Sequence, residues 1–221
     1  MPSPRIKDAS VVSPLGTSCV PVVLPARAAL PRPMSRCTST MIPSVSSFDN
    51  GQRAAWASFL SGTNIAVVGP AGCGKSRVLL PCIAEARRRY GDSAVLVMSW
   101  TWAAARQIDG QTYHSYLGIT PGDSSKERTL AMVKGKHRIR TILERSRVIV
   151  IDEAPTFPGR HFIQLEFVLR SLSAAHMQGE SWGGRQVVRT FSVDFFLACP
   201  TVATLAFLFL FSSCPFDFLL T

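Results

Sequence analysis

Apolar positions in this chain gather in short uncharged runs, and between the runs they recur at helical spacing. Ile65-Ala66-Val67-Val68 is such a run, stopping at Gly69, and a helix-forming stretch follows over 75–89. Ala94-Val95-Leu96-Val97 is a second run, followed by a helical piece over 103–108. Val148-Ile149-Val150-Ile151 is a third, β-branched throughout, after which Phe162, Leu165, Leu169 and Leu172 return at helical intervals. Strands this short and apolar, alternating with helices, predict a parallel sheet covered on both faces, hence an α/β fold. No internal repeat interrupts the pattern.

The flanks differ from this middle, which divides the chain into residues 1–47, 48–190 and 191–221. The first zone is rich in Pro, Ser, Thr and Arg, with five basic residues (Arg5, Lys7, Arg27, Arg32, Arg36) against the single acid Asp8. An organelle transit peptide has that composition. Prolines at 2, 4, 14, 21, 25, 31 and 33 among others oppose a long amphipathic helix, and a disordered leader fits the same residues equally. In the last zone residues 195–216 carry no charge, between Asp194 and Asp217. That length suffices to cross a bilayer, although Pro200 and Pro215 interrupt it.

Composition adds two points. A hydrophobic fraction of 47% readily supplies a core, and a net charge of +10 favours polyanionic partners such as nucleic acid, an anionic membrane surface being also compatible. The six cysteines show no CxxC pairing and none is spaced with the four histidines. This predicts reduced thiols in an intracellular protein and argues against a disulfide framework or a zinc site.

The chemistry concentrates in two segments. Gly69-Pro70-Ala71-Gly72-Cys73-Gly74-Lys75-Ser76 fits G-x-x-x-x-G-K-[ST], after a strand and opening a helix. Glycines let a backbone wrap phosphate oxygens and present N–H groups to them, and the helix adds its positive end. In such a P-loop Lys75 reaches the β- and γ-phosphates of ATP and Ser76 ligates Mg²⁺. The second segment is the strand that ends in Asp152-Glu153. Two acids after a strand often begin a helix, but paired with an upstream P-loop they suit a hydrolysing motor. Asp152 would then serve Mg²⁺, and Glu153 would polarise the attacking water.

Between these segments Thr112-Tyr113-His114-Ser115 joins hydroxyl and aromatic groups in a setting suited to a nucleic-acid strand, although a lone histidine is more often structural. For Trp100 and Trp102 core packing is the favoured reading over base stacking. The basic run from Lys126 to Arg147 fits a backbone-tracking path or a solvated insert. Arg87-Arg88-Arg89 reads as cations complementing a helix end.

Taken together, Phe48-Asp49-Asn50-Gly51-Gln52, the P-loop, the 101–118 block and Ile151-Asp152-Glu153 resemble the PIF-type DNA helicases, superfamily 1 motors related to RecD. The resemblance implies a RecA-like P-loop NTPase domain. In it Gln52 contacts adenine, and Gly69, Gly72, Cys73, Gly74, Lys75 and Ser76 hold the nucleotide. Ser76 and Asp152 hold Mg²⁺, and Lys75, Asp152 and Glu153 carry catalysis. It assigns Thr112, His114 and Ser115 to strand contact, with single-stranded or forked DNA as partner and no obligate protein partner. It implies ATP hydrolysis coupled to 5′-to-3′ unwinding in DNA repair, recombination and telomere maintenance, in the mitochondrion or nucleus.

The likeness covers residues 48–200 and frays toward their end. Trp182-Gly183-Gly184-Arg185-Gln186 matches the family's aromatic-Gly-Gly-x-Gln strand. The following Gly-Asp-x-x-Gln-Leu-Pro-Pro is answered by Val193-Asp194-Phe195-Phe196-Leu197-Ala198-Cys199-Pro200, which lacks the glycine and the glutamine. Trp102 stands where the family has glycine, and Pro155 where it has serine. Residues after Pro200 do not supply the family's second RecA-like domain. The expectation is therefore a truncated copy whose apolar tail replaces that domain through truncation or an altered frame, ahead of a membrane anchor or a buried terminal helix.

Overall fold

The computed structural model describes residues 42–120, 122, 125–192 and 217–220. The leader residues 1–41 and the segment 193–216, with its degenerate motif and the whole charge-free stretch, lie outside the described residues. Among the described residues no helix is long and apolar enough to cross a membrane.

Six parallel strands form one sheet in the order β3-β2-β4-β5-β1-β6. They are β1 (Ile65–Gly69), β2 (Val95–Ser99), β3 (Gln111–Thr112), β4 (Val148–Asp152), β5 (Gln186–Ser192) and β6 (Asp217–Leu220). The helices are α1 (Asn50–Leu60), α2 (Lys75–Tyr90), α3 (Trp102–Gln107), α4 (Tyr113–Leu117), α5 (Lys126–Lys134), α6 (His137–Arg145) and α7 (Gly159–Ser171). The three expected strands and the helices after them are present, within a residue or two of the boundaries read from the pattern. β6 was not anticipated: the end of the tail forms an edge strand beside β1, where the sequence suggested replacement sequence, an anchor or a helix.

Strand geometry explains the uninterrupted apolar runs. Successive side chains point to opposite faces. On β4, Val148 and Val150 enter one core with Ile65 and Val67 of β1 and Val78, Leu79 and Ile83 of α2. Ile149 and Ile151 enter the other, with Leu96, Met98, Leu165, Val168 and Leu169. Both faces are covered, so every position on the strand is apolar until Asp152.

Local chemistry fixes the helix starts. Asp49 accepts from the Gln52 N–H at 2.8 Å while Gln52 Oε1 accepts from the Asp49 N–H, closing a capping box on α1. Thr101, Thr112 and Ser125 cap α3, α4 and α5 with their hydroxyls. The Arg87–Arg89 cluster is structural as read: Arg88 and Arg89 pair with Glu85, and Arg87 with Asp109. The basic run is two packed helices, α5 and α6, and not a loose insert. Trp102 departs from its favoured core placement. It is 62% exposed, because α3 turns Ala104 and Ala105 inward and leaves position 102 in water.

The aromatic-Gly-Gly-x-Gln motif is a fastening for the sheet. Arg185 is buried and donates to the carbonyls of Leu143, Leu169 and Trp182 and to the hydroxyls of Ser146 and Ser173. Burial, then the charge of Arg147, pulls its pKa down to about 10. Gln186 donates from Nε2 to the carbonyls of Phe59 and Thr63, each at 2.9 Å, tying the start of β5 to the turn between α1 and β1.

Candidate functional site

The carboxyl ends of β1, β5 and β4 lie side by side, and the two chemical segments meet there. Parallel sheets place ligands at this end of their strands. After β1 the chain turns through Gly72 and Gly74, whose φ values of +78° and +92° lie in the left-handed region that glycine enters without strain. Gly74 begins α2 with no side-chain cap, and no acid stands in the first turn. The helix start therefore faces the loop with its own N–H groups, an arrangement suited to anions.

Lys75 folds over this loop. Its Nζ donates to the carbonyls of Gly69 at 2.9 Å and Pro70 at 2.7 Å, and lies 3.8 Å from Cys73 Sγ. Ser76 is exposed on the first turn of α2. Gln52 packs under the same turn, and a methyl placed on Gly74 would sit 2.8 Å from its Nε2. It is 3% exposed, so its amide braces the loop besides closing the α1 cap.

Asp152 ends β4 in phase with Val148 and Val150, which sends its side chain to the face that α2 covers. It is 6% exposed, and Oδ1 accepts from Thr190 Oγ1 at 2.5 Å. Burial raises its pKa above the ordinary carboxylate value, opposed by Thr190, by the Glu153 N–H and by the charge of Lys75. Glu153 is exposed in the left-handed conformation, φ +51°, and its N–H donates to Thr190 Oγ1 at 2.9 Å.

Thr190 therefore joins both acids from the intervening strand β5, and sequence reasoning did not single it out. The strand motif read from Trp182 to Gln186 stops short of position 190. The sequence directed attention to 193–200, which lies outside the described residues.

The residues assigned to strand contact occupy the far side of the sheet. From β1 to β3 there are four strand steps, roughly 19 Å at the usual spacing. Thr112 caps α4, accepting from the Ser115 N–H, and the Ser115 hydroxyl bonds Gln111 Oε1 at 3.1 Å. Thr112 and Ser115 thus share one short turn, and His114 between them leans on Trp100 with ring centroids 4.9 Å apart. Burial there holds the His114 pKa below its ordinary value.

Trp100 is itself in contact with Tyr113, Phe157 and His161. Tyr113 donates to Gln164 Oε1 at 2.5 Å, and Gln164 Nε2 donates on to Thr129 Oγ1. Phe157 follows the turn that starts at Glu153, so one aromatic cluster connects the acidic strand end to the edge carrying His114. Neither His161 nor Gln164 could be chosen from the sequence, because each looks like an ordinary residue of an amphipathic helix.

The arrangement offers a phosphate cradle, a cation beside it, an acidic pair across one strand, and a polar turn on an aromatic base. The chain is 28% identical over 138 residues to the ATP-dependent DNA helicase RRM3 of Saccharomyces cerevisiae, covering 62% of this chain and 18% of that protein. It is 33% identical over 141 residues to the ATP-dependent DNA helicase PIF1 of Emericella nidulans, covering 63% and 18%. Among solved structures, the Pif1 helicase from Candida albicans superposes with a TM-score of 0.60 at 29% identity, over 65% of this chain and 32% of that one. The chain thus spans less than a fifth of the length of these two curated relatives. A family profile described as PIF1-like helicase matches residues 51–206, from the first turn of α1 through the P-loop, the acidic pair and the whole of β5, and the chain belongs to that family.

Proposed function

We propose that residues 48–190 are the ATP-binding and hydrolysing half of a DNA helicase motor that moves 5′ to 3′ on a single strand. The observation that carries this reading is sheet order: the P-loop leaves β1 beside β5, whose Thr190 bonds Asp152 at the end of β4. In this reading the β- and γ-phosphates lie along Gly69–Ser76, with Lys75 turned from the Gly69 and Pro70 carbonyls toward them. Gln52 stands beside the adenine, close to the loop it braces.

The residues fit Mg²⁺ by donor chemistry, since a hydroxyl and a buried carboxylate are the hard oxygen ligands this ion prefers. Ser76 and Asp152 would hold it, and its charge would offset that of the phosphates. Glu153, exposed at the strand end and held by its N–H on Thr190, would orient the attacking water. Thr112, His114 and Ser115 would meet the DNA strand, and single-stranded or forked DNA is the partner. Roles in repair, recombination and telomere maintenance follow from the family.

ATP turnover of the purified chain, with and without single-stranded DNA and with Lys75→Ala as the blank, tests the reading. DNA-stimulated, Lys75-dependent hydrolysis supports it. Nucleotide and DNA binding with no turnover would replace the motor with a binding remnant.

A further inference from the structure

Trp102 is the most exposed large hydrophobic side chain among the described residues, at 62%. It is the first residue of α3, and its ring is not bare. The Arg106 guanidinium, one turn further on, lies 4.7 Å from the ring centroid. A cation on one face restrains the indole rotamer and leaves the opposite face to water. The helix does not need this ring for packing, since Ala104 and Ala105 supply its buried side.

Its location is informative. Ser99, the last residue of β2, is the register partner of Thr112. Trp100 then packs against His114 with the rings tilted, Thr101 caps α3, and Trp102 follows at once. The exposed ring therefore follows the end of β2, next to the end of β3 that leads into Thr112, His114 and Ser115.

We propose that Trp102, backed by Arg106, is a base-stacking platform for single-stranded DNA that lengthens this contact edge. The inference rests on the reading of that edge as DNA-binding. Every base offers a π-face, so such a platform adds affinity without choosing sequence, and the guanidinium beside it meets the backbone charge. The overall charge of +10 favours the same partner.

The test is the affinity of the full chain for a fluorescent oligothymidylate and for an abasic oligomer of equal length, which keeps the phosphates and lacks the bases. Trp102→Ala is expected to weaken oligothymidylate binding about tenfold, within the range of one stacked base, with Trp102→Phe restoring most of it. On the abasic strand Trp102→Ala and the unchanged chain should bind alike. Arg106→Gln should lower the salt dependence by about one counterion. Equal binding of oligothymidylate by Trp102→Ala and the unchanged chain overturns the platform and leaves the DNA-binding edge standing. Equal losses on both strands also overturn it, because Trp102 would then act through the fold. If the unchanged chain binds neither strand, the edge itself is misread and the platform falls with it.

Discussion

The nucleotide end and the strand-contacting edge of this sheet are built in different ways. The nucleotide end is largely backbone. A loop of consecutive residues turns through two left-handed glycines, and one lysine closes over it. The other edge is a product of packing: His114 rests on Trp100, which is packed by Tyr113, Phe157 and His161, while Tyr113 is held through Gln164 to Thr129. A backbone-made site should fail through loss of one functional group with the fold intact. A packed site should fail through loss of support, along with stability.

Five substitutions sharpen or break that contrast. The largest effect is expected from Lys75→Ala, which removes the cation that the proposed reading sets against the phosphates. Turnover should fall about 100-fold or more, with an unchanged melting temperature. A large drop in melting temperature would mean that the lysine's bonds to Gly69 and Pro70 hold the loop together, and the contrast would weaken.

Gly110→Ala acts on the other edge. A methyl there would lie 2.5 Å from the Val97 carbonyl oxygen, so backbone must shift between β2 and β3. The cost should be about 2 kcal/mol, or a melting temperature lower by about 4–8 °C, with nucleotide affinity retained. Tyr113→Phe leaves the buried Gln164 carbonyl oxygen without its phenol donor. Thermal unfolding should show a loss of about 1–2 kcal/mol, and DNA affinity should fall while ATP affinity holds.

Thr190→Val probes the one part of the nucleotide end that depends on a neighbouring strand. It removes the hydroxyl shared by Asp152 and the Glu153 N–H, and kcat should drop about tenfold with KM little changed. The smallest effect concerns Asp152 itself. Burial raises its folded pKa, so the native state holds the proton more tightly than the unfolded chain. The ionised carboxylate then costs stability above that raised value, and the cost disappears as pH falls below the unfolded one. Asp152→Asn should melt higher than the unchanged chain at neutral pH, with the gain closing as pH drops through the carboxylate range. A lower melting temperature at neutral pH would show that Thr190 and Lys75 outweigh burial.

Much of the fold was legible because its signals are local. Val148 to Ile151 reads as a strand buried on both faces, since alternate residues must enter two cores. The P-loop was legible because eight consecutive residues carry the whole requirement. Trp102 was misjudged for the opposite reason. An indole is normally worth burying, and only the rotation of α3 about its alanines decides that this one stays outside. β6 is a similar case, because nothing in Asp217–Leu220 announces a partner as distant in sequence as β1.

The sequence by itself determined the strand–helix alternation, the phosphate loop, the acidic pair and the family, all of which depend on residue type at short spacing. The tertiary structure decided which strands are neighbours. That order put Thr190 between the two acids and the P-loop, set Arg185 among the carbonyls of Leu143, Leu169 and Trp182, and gathered the cluster beneath His114. Such contacts join residues tens of positions apart, and a side chain's partner there is fixed by sheet order and helix rotation, which no local pattern encodes.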